Sequence, residues 1–166
     1  MAGCGYCGRA HGDLPDEIAH RRPLDYFRIP ESERSTRIDA NDDLCVIDGK
    51  RFLIRAHLPI RVLDDVKPFG WGLWALVSRE AYERYVELWD ADGSAEPALH
   101  GHLSADFPDY SPLYLHELEL HLGPPERRPR IQLAPSENRL YREQEDGITS
   151  VRRHEIFRTV MPWLFS

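Results

Sequence analysis

The chain has 166 residues, of which 42% are hydrophobic and 30% charged, and a formal net charge of −7; that length suits a single domain with its own core. The acidic balance argues against a general nucleic-acid binder, because phosphate recognition needs a basic field. No apolar run approaches the ~20 residues of a membrane span and no basic region followed by an apolar stretch opens the chain, so the expectation is a cytoplasmic protein without a signal peptide.

The first motif is Cys4-Gly5-Tyr6-Cys7-Gly8-Arg9-Ala10-His11, which reads C-x2-C-G-x2-H. Two thiols three positions apart, followed by a glycine, form a turn whose sulfurs converge, as in half of a tetrahedral Zn2+ site. His11 reaches the same point. The third and last cysteine is Cys45. The expectation is a structural zinc site closed by Cys4, Cys7, His11 and Cys45, with His20, His57 or Asp13 as alternatives for the fourth ligand. Three cysteines, two of them in metal-like spacing, argue against a disulfide framework.

Further along, Leu14 to His20 reads as a short helix with Asp13 as N-cap and Pro15 in its first turn. Residues 21–42 read as mostly irregular, with one exposed helical turn, packed through Tyr26 and Phe27. Leu44 to Ile47 and Arg51 to Leu58 are strands joined by Asp48-Gly49, a strong hairpin signal. Phe52, Ile54 and Ala56 share one face of the return strand, and Leu53, Arg55 and His57 the other. Pro59 implies an edge or a bulge.

Gly70 to Val77 is the most apolar run and reads as a central strand covered on both faces. Ser78 caps a helix from Arg79 to about Asp90, whose Tyr82, Tyr85, Val86 and Trp89 form a core-facing stripe. Leu99 to Leu103, Leu113 to Leu122 and Arg130 to Leu133 read as further strands. Leu140 to Glu145 is a helical turn stopped by Gly147. Val151 to Val160 is a helix with Ile156, Phe157 and Val160 on one face, after which Trp163, Leu164 and Phe165 tuck back. The fold class is α+β: a mainly antiparallel sheet with a mid-chain helix and a C-terminal helix. It forms one domain over residues 1–166, with residues 1–20 as a zinc-knuckle segment packed on it.

Other chemistry-bearing residues are weaker signals. His100 and His102 share a strand face without a carboxylate at a fixed offset. Glu117 and Glu119 share a face, as solvated strand carboxylates commonly do. No G-x-S-x-G, phosphate loop, dinucleotide glycine pattern or H-E-x-x-H is present.

Several stretches together resemble an uncharacterised bacterial family, domain of unknown function 2199. They are Cys4 to Gly8 with His11 and Leu14-Pro15, then Asp43-Leu44-Cys45 and Trp71-Gly72-Leu73-Trp74. Gly101 to Ser104, Pro108-Asp109-Tyr110, Arg128-Pro129 and Leu140 through Gln144 to Gly147-Ile148 complete the set. Where that family tends to carry a histidine-proline pair before the glutamine, this chain has Asn138-Arg139. The resemblance implies a zinc-knuckle-like α+β domain without an assigned activity. Two functions are carried forward. One is a small zinc-stabilised protein-interaction or regulatory module of the immunity kind, with another protein as partner. The alternative is a zinc-dependent hydrolase, which needs an open metal position.

Overall fold

A computed structural model describes residues 3–165. The sheet grows from the hairpin that the sequence marks most clearly. Strand β3 (Leu44–Ile47) returns through Asp48 and Gly49, both at positive φ (55° and 63°), into the long strand β4 (Arg51–Ile60). Lys50 completes a three-residue loop between Ile47 and its partner Arg51, and its N–H closes a turn on the Ile47 carbonyl at 3.0 Å over that pair of left-handed residues; positive φ at both central residues gives such a turn the twist of its strands. From Phe52 to Ile60, β4 then pairs antiparallel with β5 (Phe69–Val77).

β5 continues antiparallel to β6 (Leu99–Leu103), β6 to β7 (Glu117–His121), and β7 to β8 (Arg130–Leu133). β8 meets the far half of β4, with His57 opposite Arg130 in parallel and the His57 N–H donating to the Pro129 carbonyl at 2.8 Å. The five strands β4 to β8 therefore close into a barrel. β4 can serve two partners on one edge because β3 ends opposite Ile54, which frees the remaining residues for β8. Closure removes the open edges that a sheet of this size otherwise exposes. Pro59 lies within β4, opposite Gly70 and beyond the β8 contact.

The inward residues of the barrel are the core: Ile54, Ala56 and Leu58 of β4, Trp71, Leu73 and Ala75 of β5, and Leu103, Leu120 and Ile131 of the later strands. Trp71 stacks on Phe107, with centroids 4.8 Å apart. A smaller cluster lies on the other face: Cys45, Ile47, Leu53 and Trp74, fully or almost fully buried. Ile29, Ile38 and Ala40 close over it. This second cluster explains why β5 is apolar on both faces.

Three expectations change here. Leu14 to His20 is not a helix; Glu17–Ala19 forms strand β1, parallel to β5, with its register set by Glu17 opposite Gly70 and Ala19 opposite Gly72. Ile18 is buried, and burial of that single side chain beside a glycine-bearing strand outweighs the local helix signals. Residues 21–42 are more ordered than their charge implies. They contain helix α1 (Leu24–Phe27), helix α2 (Glu31–Arg37) and strand β2 (Ile38–Ala40) on the edge of β3. Phe27 itself stays exposed. Finally, Leu113 to His116 does not extend β7, because Leu115 sits at φ 66° and the His116 N–H donates back to the Leu113 carbonyl.

Helix α3 (Arg79–Glu87) starts where its cap places it, with the Ser78 hydroxyl accepting from the Ala81 N–H. Tyr82 and Tyr85 pack on the core, whereas Val86 and Trp89 remain exposed, so the stripe is only half buried. Helix α4 (Arg139–Asp146) is capped by Asn138 and ended by Gly147 at φ 78°. Helix α5 (Ser150–Val160) is capped by Thr149 and sends Ile156 and Phe157 into the main core. A 3-10 turn over Pro162–Phe165 buries Phe165 and leaves Trp163 exposed. The architecture is α+β; the pairings are antiparallel except β1 with β5 and β4 with β8. Among the described residues no helix is long and apolar enough to cross a membrane.

Candidate metal centre

The N-terminal segment folds back on itself. The Cys4 N–H donates to the Arg9 carbonyl at 2.9 Å, and the Gly8 N–H to the Cys4 carbonyl at 2.7 Å, with Gly8 at φ 72°. The left-handed conformation at Gly8 is what lets so short a loop close. It aims both sulfurs the same way. The Tyr6 N–H points at Cys4 Sγ from 3.4 Å, a charge-stabilising contact for a thiolate.

Cys4, Cys7, His11 and His154 then converge: one donor atom from each lies within 4.8 Å of all the others. Among the described residues this is the group of histidine, cysteine and acidic side chains with a metal-like arrangement. His154 comes from α5, where it is buried, and its Nε2 stands 3.3 Å from Cys4 Sγ. Its Nδ1 donates to the Ser150 carbonyl at 2.8 Å. His11 repeats the pattern, with Nδ1 donating to the Gly12 carbonyl at 2.6 Å. In both rings one nitrogen carries the proton and the other presents a lone pair, the tautomer a metal ligand needs.

Two observations test whether this group fits a cation. His11 Nε2 is buried and has no hydrogen-bond partner, and a buried acceptor without a partner carries a cost of ~1–3 kcal/mol. A metal ion among the four donors would remove that cost. The donor set is also of one kind: two thiols and two imidazoles, the Cys2His2 complement of structural zinc sites. A tetrahedral ion with bonds of ~2.0–2.3 Å places its donors somewhat under ~4 Å apart, so the cluster closes by about an ångström to grip one. At Cys4, burial opposes ionisation, but the Tyr6 and Cys7 N–H groups, the largest of the opposing contacts, outweigh it. They bring the thiol down to about 6.

Of the expected set, the structure brings Cys4, Cys7 and His11 together and places Cys45 elsewhere. Cys45 is 0% exposed inside the outer cluster, against Ile47, Leu53 and Trp74. Burial pushes its thiol up to about 11, which suits a protonated core residue rather than a ligand. The hairpin that places Cys45 opposite Leu53 turns it to that face of the sheet, away from the knuckle. None of the alternatives enters the group either. His20 packs its ring on Phe107 at 5.2 Å and burial lowers its pKa, His57 bonds Glu17, and Asp13 is exposed. His154 left one sequence signal: it stands three positions before Phe157, on the apolar side of a helix, where a histidine needs a polar partner.

The remaining candidates stay apart. His100 and His102 are exposed on β6, opposite Glu119 and Glu117 of β7. The His116 ring bonds the Ser136 hydroxyl at 2.9 Å.

A family model described as "Uncharacterized protein conserved in bacteria (DUF2199)" matches residues 3–148. The match holds Cys4, Cys7 and His11 and ends six residues before His154. No curated protein and no solved structure matches the chain.

Proposed function

The chain belongs to this bacterial family of uncharacterised proteins, and from that premise we propose that it is a small zinc-binding protein whose Zn2+ is structural. The observation that carries the reading is the convergence of Cys4, Cys7, His11 and His154 within 4.8 Å, with the buried and unpartnered His11 Nε2 among them. Zn2+ held there would tie the N-terminal turn to α5, adding to the rings of His11 and Tyr6 on His154 at 5.3 Å and 5.1 Å and of His11 on Phe165 of the following turn at 4.7 Å.

Four protein donors fill a tetrahedral ion and leave no place for a substrate water. That favours a closed structural site over a zinc-dependent hydrolase. The biological role proposed with it is a cytoplasmic protein-interaction or regulatory module, folded as one domain. The net charge of −7 supports a basic protein surface as partner.

The test is metal content of the purified, reduced protein, beside a His154→Ala variant. One equivalent of zinc in the native chain, lost in the variant together with thermal stability, is the expected result. A saturating metal at ~1,000-fold above its dissociation constant adds about 4 kcal/mol to folding. No metal in protein kept reduced throughout refutes the reading, and zinc retained at one equivalent in His154→Ala refutes the closed site.

A further inference from the structure

A second constellation, sharing no residue with the Cys/His group, lies where β1 and β4 flank β5. Glu17 of β1 and His57 of β4 meet across the strand between them, with Glu17 Oε2 accepting from His57 Nδ1 at 2.5 Å. Two glycines make this meeting sterically feasible. A Cβ on Gly70 would stand 2.7 Å from His57 Nε2, and one on Gly72 would stand 2.8 Å from Glu17 Oε1. Any other residue at either position would displace the pair. With its proton held at Nδ1 by the carboxylate, the imidazole offers Nε2 as an acceptor. That nitrogen has no partner among the described residues, and the ring is 37% exposed.

The pair borders a cleft of about 570 Å³, within the size range of small-molecule sites. One wall is aromatic: Tyr85 and Trp89 meet edge to face at 5.6 Å, and Trp89 remains 41% exposed. Arg127 and Arg128 stand on the rim. Arg128 Nε donates to Asp43 at 2.8 Å, which occupies that carboxylate and leaves the guanidinium's terminal nitrogens open. Glu17 is likewise engaged by His57. Glu126 also lines the cleft, beside Arg127 in sequence.

A tie between β1 and β4 would account for the Glu17–His57 bond alone. It accounts for neither the exposed tryptophan nor the open guanidinium groups on the same cleft. We propose that this cleft binds a nucleoside monophosphate: a planar base against Trp89 and Tyr85, a hydroxyl or amino donor on His57 Nε2, and a phosphate on Arg127 and Arg128. Each element of the ligand answers one feature of the cleft. A planar ring stacks on an exposed aromatic face, the lone pair of a neutral imidazole accepts one donor, and arginine favours phosphate through its forked donors.

The test titrates AMP and GMP into the full-length native protein, following tryptophan fluorescence and the His57 imidazole resonances. The expected result is saturable binding at about 1 mM or tighter for at least one of them. Trp89→Phe abolishes the fluorescence response while the His57 resonances still move, and Arg127→Ala and His57→Gln each weaken binding about tenfold. Circular dichroism of each variant confirms that it is folded. Four results overturn the proposal: no saturable change with either nucleotide, an unchanged response in Trp89→Phe, undiminished affinity in both Arg127→Ala and His57→Gln, or adenosine binding as tightly as AMP. The metal site is unaffected by all three substitutions, so zinc content reports on that reading separately.

Discussion

Replacing Cys45 by serine separates the thiol of the core from the thiols of the knuckle. The side chain is 0% exposed and is enclosed by Ile47, Leu53 and Trp74, with Ile29, Ile38 and Ala40 above them. A serine hydroxyl would find no partner in that cluster. An unsatisfied buried hydroxyl costs ~1–3 kcal/mol. For a domain of this size each kcal/mol moves the melting temperature by ~2–4 °C, so Cys45→Ser should melt ~2–12 °C lower. Cys45→Ala, which buries no polar atom, should lose less. Thermal denaturation followed by circular dichroism measures the shift, and elemental analysis of the same samples measures metal. Both variants should carry as much zinc as the native chain. Loss of metal from Cys45→Ser at unchanged fold would refute the assignment of His154, and a melting temperature equal to the native value would refute the burial argument.

Other substitutions probe the rest of the framework. Gly147→Ala places a Cβ 2.8 Å from Leu63 Cδ2 and forces alanine to φ 78°; urea titration should show a loss of ~1–3 kcal/mol. Glu143 is buried and accepts from Tyr110 at 2.6 Å and from Arg152 at 2.7 Å. Glu143→Ala leaves the largely buried Arg152 with only the exposed Glu155 at 3.5 Å as ionic partner and should cost ~2–3 kcal/mol in the same assay. Glu17 has a pKa below the usual carboxylate value, chiefly because His57 hydrogen-bonds it, against some burial. A depressed carboxylate stabilises the fold above its unfolded pKa of ~4.3, and that contribution disappears as pH falls through the lower folded value. Acid titration of stability in Glu17→Gln should therefore show a shallower loss below that pH than the native chain, and identical profiles would exclude a stabilising pair.

Local chemistry made much of the barrel readable in advance. Asp48-Gly49 specified the hairpin, Ser78 and Gly147 bounded their helices, and the two-sided apolar run of β5 required cover on both faces. Each is a short-range effect: a backbone conformation, a cap, or an alternation of side chains about one strand. The charged segment at 21–42 was harder to read, because the apolar residues that matter there, Ile29, Ile38 and Ala40, are spaced by no period. They are recruited by a cluster on a different strand. Leu14 to His20 carried helix signals that lost to a parallel pairing with a strand more than fifty positions later.

The same division runs through the candidate site. The spacing of Cys4, Cys7 and His11 within eight residues determined three of the converging donors, since a tight turn can bring neighbours in sequence to one point. The fourth, His154, is 150 positions from Cys4, and no local rule selects it from the chain's eight histidines. Cys45 was the natural choice by residue type, and the facing of one hairpin turned it into the core instead. The meeting of Glu17 with His57 across two glycines is likewise invisible along the chain, because it depends on β1 adding to β5 in parallel. Sequence by itself determined the turns, the caps and the convergence of Cys4, Cys7 and His11; the closure of the barrel and the docking of α5 decided which distant side chains share a site, because long-range pairing is chosen by burial of the whole chain and not by any one segment of it.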